Sequence, residues 1–182
     1  YLSLLNETDQ KLYRFIYSQI TECASSFEVS SAAPTINRVI KAIMLDNPEI
    51  FWFEGKWKAE NINQSLRIIP IYKHSREEKE DILNRIKEYV QALGFDKADS
   101  DTERLRNIYD WLLSNIQYRQ SINDQTIEGA FIDKAAVCKG IGKAFQFCMN
   151  MLQIPSFLIE GTIDGQASHI WNIVFIDNRF YH

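Results

Sequence analysis

The sequence has few cysteines, and their spacing excludes the common sites built from that residue. Cys23, Cys138 and Cys148 are the only three in 182 residues, and no pair has the Cys-x-x-Cys spacing of a structural zinc site. Cys138 and Cys148 fall on one predicted helix, where their separation of about 15 Å is too long for a disulfide. A disulfide between Cys23 and Cys148 and two buried thiols both stay open, and so does the redox compartment.

Long apolar runs and an excess of basic residues are also absent. No apolar run approaches the roughly 20 residues of a membrane-spanning helix. The 20 Lys and Arg residues are scattered, they are outnumbered by 24 Asp and Glu residues, and the formal charge is −4. A nucleic-acid surface needs a concentrated basic patch. We therefore expect neither a membrane span nor a nucleic-acid partner. No glycine-rich phosphate loop, metal-ligand cluster or paired-carboxylate site is present, so no metal or cofactor is expected.

What the sequence does contain is enough apolar material for a substantial core. Hydrophobic residues make up 46% of the chain and aromatic residues 13%, as expected for a globular domain. The length suits one large domain, or a catalytic domain with an N-terminal extension. The best internal boundary is the stretch 94–100. It divides a helical and hairpin extension, residues 1–99, from a core at residues 100–182.

Apolar periodicity and turn residues predict the elements of the N-terminal extension. A helix over 8–22 has Thr8 as its cap, and Pro34 suits the first turn of a second helix. A hairpin is predicted around Glu54-Gly55, and Pro70 demotes the strand Ser65–Tyr72 to an edge or ends it. Before these strands, residues 25–33 have the composition of a loop.

The C-terminal part is predicted to be a helical segment followed by an antiparallel meander. Capping boxes, Ser75 with Glu78 and Ser100 with Glu103, each begin a helix. Residues 121–134 show no periodicity and are predicted to form a loop. The remaining elements are a helix from Cys138 to about Gln153 and strands over 156–163, 169–176 and 179–182, with turns at Asp164-Gly165 and Asp177-Asn178. The predicted fold class is α+β, with a helix packed on an antiparallel sheet.

A thiol and an imidazole stand at the beginnings of two of these elements. Cys138 begins the apolar helix, where unpaired backbone N–H groups favour a thiolate. His169 begins an apolar strand and shares one strand face with Trp171. Glycine destabilises a helix by about 1 kcal/mol relative to Ala, and two glycines, at positions 140 and 142, follow Cys138. We interpret them as positions that the His169 strand or a substrate approaches closely. The alternative is that the helix simply begins weakly.

Taken alone, these residues leave a structural role open. A lone buried Cys usually acts as a small inert hydrophobe, and a lone His beside an aromatic residue is more often structural. Short motifs around Cys138 and His169 favour a role in a site over a structural role.

Several short motifs occur in the order found in the transglutaminase-like core. They are Val137-Cys138-Lys139-Gly140, Ala144-Phe145, Gln153-Ile154-Pro155, Glu160-Gly161-Thr162, His169-Ile170-Trp171-Asn172 and Phe180-Tyr181-His182. Together they resemble Cys-x-Gly-Tyr-Ala, Gly-Ile-Pro, Val-x-Gly, His-Ala-Trp-Asn and Trp-Tyr-x-Val-Asp of that superfamily, over roughly residues 103–182. The resemblance implies a papain-like cysteine fold.

The resemblance also implies roles for individual residues. Cys138 would be the nucleophile and His169 its base. Tyr118, at the end of the preceding helix, matches a Tyr often found there and would donate to an oxyanion or close the site, with packing in the core as the open alternative. The third member of the triad would be an Asp two residues past His182. Asp177 belongs instead to the turn after the His169 strand. Ile141, Gly142 and Ile170 depart from the family pattern without removing a reacting atom, so the entrance to the site is expected to differ.

These roles imply cysteine-dependent chemistry on amides of a protein or peptide substrate. Peptidase or amidase hydrolysis and acyl transfer use the same residues, so the sequence does not separate them. The alternative is a catalytically inactive domain of the same fold that acts as a binding or assembly module. Many bacterial relatives act outside the cell, so the resemblance favours a secreted or cell-surface location. Oligomeric state is not indicated.

Overall fold

The computed structural model describes residues 1–163, 165 and 167–182, which form two compact units. The first unit is Tyr1–Glu80 and the second is Asp81–His182. Helices and strands occur in both, which confirms the predicted α+β class. Compactness alone does not show which segment folds independently, so the domain boundary at residues 99 and 100 stays a prediction.

The first unit combines helices with a small antiparallel sheet. Its elements are α1 (Glu7–Thr21), β1 (Phe27–Val29), α2 (Ala33–Asp46), β2 (Phe53–Ile62) and β3 (Ser65–Tyr72). The strand order is β1-β3-β2, and both pairings are antiparallel. Apolar stripes on α1 and α2 supply fully buried side chains, among them Ile16, Ile20, Ile36 and Ile43.

Four of the expectations for this unit are wrong. The cap of α1 is Asn6, whose side chain accepts a hydrogen bond from the Asp9 backbone N–H at 2.9 Å, and not Thr8. β2 continues through Glu54-Gly55, because Gly55, at φ +81°, lies in a bulge and not in a turn.

The hairpin turn follows β2 instead, at residues 63 and 64. β3 is the central strand, not an edge strand, and it runs past Pro70 to Tyr72. Pro70 is tolerated there because β1 pairs with β3 only as far as Ile68, so no β1 residue needs a backbone N–H from position 70. The predicted loop 25–33 contains β1. Pro34 does lie in the first turn of α2, as predicted.

The predicted capping boxes do begin helices. α3 (Arg76–Ala92) starts after Ser75, whose backbone N–H donates to Glu78 Oε2 at 2.8 Å while its Oγ accepts from the Glu78 N–H at 3.2 Å. In the second unit Ser100 Oγ accepts from the Glu103 N–H at 3.2 Å. The Glu103 carboxylate accepts from the Asp99 N–H and not from Ser100.

The second unit is built around one long buried helix. Its elements after α3 are α4 (Asp101–Asn115), β4 (Gln117–Tyr118), α5 (Ile127–Phe131), β5 (Ala135–Ala136), α6 (Cys138–Met151), β6 (Ser156–Ile163), β7 (Ala167–Ile176) and β8 (Arg179–Tyr181). All residues of α6 from Gly142 to Met149 are buried. Helices α4 and α5 and the sheet β6-β7-β8 all pack on it.

The predicted meander is confirmed, with small corrections. β6 pairs antiparallel with β7, and β7 with β8, and Asp177 and Asn178 form the second turn at φ 50° and 59°. Gly165 also has a positive φ, whereas Asp164 lies outside the described residues. β7 begins at Ala167, two residues before His169. Residues 121–134 contain the short helix α5, which Thr126 caps and which is too short to show periodicity.

None of the helices in the described part of the chain is both long enough and apolar enough to cross a bilayer.

The cap of α4 gives a stability prediction. Replacing Ser100 with Ala removes the acceptor for the Glu103 N–H, and we expect the free energy of unfolding to fall by about 1 kcal/mol. Urea unfolding followed by circular dichroism measures the change. Ser114→Ala, on the exposed surface of the same helix, is the matched control and should not lower stability, because Ala is the better helix former. Equal losses in both variants would contradict a capping role.

Candidate active site

Cys138 is the first residue of α6, as the sequence predicts. Val137 is the N-cap in an extended conformation, and no side chain in the described residues caps this end of the helix. Cys138 is partly exposed, and it is a free thiol, as are Cys23 and Cys148. The thiol therefore lies at a helix terminus whose first backbone N–H groups favour negative charge.

The loop before α5 fixes the beginning of α6. The Val137 N–H donates to the Asp124 carbonyl at 3.0 Å. A Cβ on Gly140 would collide with that same carbonyl and would lie 2.9 Å from Ala136 Cβ. Gly140 is therefore required by the close approach of the 121–126 segment to the helix.

The sheet approaches the same helix on another side, at Gly142. A Cβ there would lie 2.7 Å from Leu158 Cδ1 and 3.3 Å from Asn172 Oδ1. Asn172 also donates from Nδ2 to the Gly142 carbonyl at 3.0 Å. This hydrogen bond ties the first turn of α6 to β7, the strand that carries His169.

His169 lies on the opposite face of β7 from Asn172. Its cross-strand partner is Gly161, and Trp171 shares its face. The two rings stack with centroids 6.3 Å apart and an interplanar angle of 21°. A Cβ on Gly161 would lie 2.5 Å from Trp171 Cη2. Glycine at position 161 therefore lets Trp171 lie flat over β6 and support the imidazole.

Cys138 and His169 line one cavity of about 630 Å³. Residues from both faces of β7, among them Trp171 and Asn172, line it too, which places the cavity at an edge of the strand. That edge faces β8, because β8 pairs with β7 only along 174–176 whereas β6 pairs along 167–174. The thiol and imidazole thus share a cleft even though they come from different layers.

Tyr118 reaches this cavity as well, because β4 pairs in parallel with β5 and sets Tyr118 beside Ala136, two residues before Cys138. Its side chain is 68% exposed, so it is not a core residue. Asp177 is in the turn at the other end of β7, about 27 Å along the strand from His169. It does not line the cavity.

Two groups of cavity residues have no counterpart among the predicted site residues. Asn172 is the tether to α6, and its only sequence signal is its place in the His-Ile-Trp-Asn motif. Tyr109 and Leu113 belong to α4 and remain 53% and 62% exposed. In the sequence, the sign of this role is that α4 carries two apolar rows. The buried row contains Ile108 and Leu112, which leaves a second row outside the core.

In the described part of the chain, no three His, Cys, Asp or Glu side chains form a group able to hold a metal ion.

A family model described as the transglutaminase-like superfamily matches residues 87–182, more than half of the chain. The chain belongs to the transglutaminase-like superfamily. The match includes Tyr118, Cys138 and His169.

A solved structure supports the transglutaminase-like fold. It is described as the crystal structure of a TGase, and it superposes with a TM-score of 0.50 at 13% sequence identity. The alignment covers 85% of this chain and 47% of that one, so the chain spans about half the length of this solved relative. No curated protein sequence matches the chain.

Gly140 provides a test of the close approach between the Asp124 backbone and the first turn of α6. In an ordinary helix, Gly→Ala stabilises by up to about 1 kcal/mol. For Gly140→Ala we expect the opposite, a loss of about 1–3 kcal/mol from overpacking against the Asp124 backbone. Urea unfolding measures the change. Asn150→Ala, at an exposed position of α6, should be neutral or slightly stabilising. A stabilised Gly140→Ala variant would instead mean that the glycine is only a weak helix start.

Cys148 gives a pH-dependence prediction. Burial raises the pKa of its thiol to about 12, against about 8.5 for an exposed thiol. As the pH rises, the unfolded chain therefore loses the Cys148 proton at a lower pH than the folded chain does. The contribution of the protonated thiol to the free energy of unfolding is complete below pH ~8.5 and is lost as the pH rises toward 12.

Between pH 7.5 and 9.5 we expect the free energy of unfolding to fall by about 1 kcal/mol on account of Cys148. Urea titrations of the wild type and of Cys148→Ala at both pH values measure it. The variant will be less stable at both because of the cavity, but its fall with pH should be smaller. An unchanged fall would show that other groups cause the alkaline loss.

Proposed function

We propose that this chain is a cysteine-dependent enzyme that acts on peptide or glutamine-type amides, by hydrolysis or by acyl transfer. Cys138 is the nucleophile and His169 is the base. The observation that carries the proposal is the shared cavity, which brings a partly exposed thiol at a helix N-terminus together with an imidazole. Membership of the transglutaminase-like superfamily supports it.

Cys138 lies at the N-terminus of α6 and shares its cavity with His169. Only the thiolate attacks a carbonyl well, and a helix N-terminus and a neighbouring imidazolium both stabilise a thiolate. With no side chain capping α6 among the described residues, the first N–H groups of the helix are directed toward this end. The same N–H groups can stabilise the oxyanion of a tetrahedral intermediate.

The reaction then follows from proton transfer between the two residues. His169 takes the thiol proton, and Cys138 Sγ forms a bond to the amide carbon. When the C–N bond breaks, His169 gives the proton to the departing nitrogen, and a thioester remains on Cys138. Water then releases an acid, or a primary amine forms a new amide. Both outcomes use the same residues.

The orienting carboxylate implied by the family resemblance fits the register of the sheet. Tyr181 lies opposite Val174 and Phe180 opposite Phe175. Continued in this register, the position two residues past His182 lies opposite Trp171, on the face that carries His169. A carboxylate there would be a diagonal neighbour of the imidazole. This geometry supports the expected Asp, and it argues against Asp177.

Tyr118 is proposed as the residue that donates to the oxyanion or closes the cleft. Its exposure and its attachment through β4 to the strand before Cys138 support this role.

The alternative function is a binding or assembly module that has kept the fold without the activity. One observation favours it: Tyr109, Leu113 and Tyr118 line the cavity and remain 53%, 62% and 68% exposed. Exposed apolar surface of this kind also marks sites of protein–protein interaction.

Alkylation of Cys138 separates the two functions without knowledge of the substrate. Iodoacetamide reacts with the thiolate, and peptide mass spectrometry reports each cysteine separately. At pH 7 we expect His169→Ala to slow labelling of Cys138 at least tenfold, because the variant has no imidazolium to stabilise the thiolate. Cys148 should stay unlabelled in the native protein, because it is only 1% exposed.

The matched control is His74→Gln, which changes a histidine of the first unit and should leave labelling of Cys138 within twofold of wild type. Incorporation of a fluorescent primary alkylamine into a glutamine peptide, with ammonia release followed in parallel, then distinguishes transfer from hydrolysis. Labelling that does not depend on His169 would refute the enzyme and favour the module.

A further inference from the structure

We propose that the α4 side of the cavity recognises an aromatic or large aliphatic side chain of the acyl donor, next to the amide that Cys138 attacks. This specificity rests on the proposed function. The recognising surface, here called the α4 wall, consists of Leu105, Tyr109, Leu113 and Tyr118, all of which line the cavity.

The α4 wall is an apolar row that the core does not use. Leu105, Tyr109 and Leu113 are spaced four residues apart and so lie on one side of α4. Burial within the unit is carried instead by Ile108 and Leu112. Tyr109, Leu113 and Tyr118 remain 53%, 62% and 68% exposed. Contiguous exposed apolar surface of this kind marks a binding site more often than chance exposure.

The wall is continuous with the nucleophile. Cys138, Ile141 and Phe145 follow one another along one face of α6 and line the same cavity as the α4 wall. From Leu113 to Leu105 the wall extends about 12 Å along α4, which is enough for one or two side chains of a peptide. The cavity volume of about 630 Å³ lies within the ~300–1,000 Å³ of small-ligand sites.

The composition of the α4 wall disfavours a charged neighbour of the scissile amide. Charged residues make up 24% of the chain, yet none of the described residues lining the cavity is Asp, Glu, Lys or Arg. A charged substrate group placed against the α4 wall would lose its hydration and find no charged side chain of α4 to pair with. The cleft therefore favours a neutral, apolar neighbour for the scissile amide.

Two alkylating reagents that differ only in an apolar group test the preference of the α4 wall without the natural substrate. Iodoacetamide and N-benzyl iodoacetamide carry the same reacting carbon: Cys138 Sγ bonds to it and iodide leaves. Each rate at Cys138 is divided by the rate of the same reagent with N-acetylcysteine. We expect the benzyl reagent to be favoured about tenfold, equivalent to about 1.4 kcal/mol, and N-carboxymethyl iodoacetamide to be disfavoured.

Variants locate the preference on the α4 wall. Tyr109→Ala and Leu113→Ala should each lower the benzyl preference at least threefold, and Leu113→Asp should abolish it. Ile122→Ala, which is 84% exposed and outside the cavity, is the matched control and should keep the full preference. The readout is a ratio of two rates on one protein, so a general loss of reactivity cancels.

The outcomes separate the specificity from the function. Labelling that depends on His169 but shows no benzyl preference overturns the α4 wall and leaves the enzyme standing. Labelling independent of His169 overturns both. A preference that appears only on tenfold dilution of the protein means that a second copy covers the wall, which also overturns the proposal.

Discussion

Two close approaches to the first turn of α6 determine where the thiol lies. The Asp124 backbone packs against Gly140 from one side, and β6 and β7 pack against Gly142 from another. Neither approach leaves room for a Cβ. The hydrogen bond from Asn172 Nδ2 to the Gly142 carbonyl then ties the helix to β7, so the placement of Cys138 relative to the strand that carries His169 depends on these packed contacts.

The same helix shows how position decides the chemistry of a cysteine. Cys138 and Cys148 lie on one helix, yet one is the partly exposed first residue and the other is 1% exposed in the core. Burial raises the pKa of Cys148 to about 12 and keeps it neutral and inert. Cys138, by contrast, is partly exposed and lines the cavity that it shares with His169. One element therefore supplies both a core residue and a candidate nucleophile.

The errors in sequence reasoning have a common physical origin. Gly55 indicates that regular strand pairing is interrupted, and either a bulge or a turn would produce that interruption. The pairing of β2 with β3 on both sides of Gly55 shows that it is a bulge. The helix α5 has five residues, too few for an apolar period to appear. Pro70 is tolerated in a central strand because β1 ends before it. For the two strand errors the neighbouring strand decides what the local pattern leaves open, and for α5 the segment is too short to carry a pattern.

The amino-acid sequence was sufficient to predict the α+β class, the helix that begins at Cys138 and the meander that follows, because apolar period and turn residues act within a few positions of the chain. The likeness to transglutaminase-like proteins came instead from short motifs that occur in a fixed order. The three-dimensional structure was needed to show that Cys138, His169 and Tyr118 line one cavity, that Asn172 ties strand to helix, and that the second apolar row of α4 lines the same cavity. Those contacts join residues far apart in the chain, and local patterns carry no information about them.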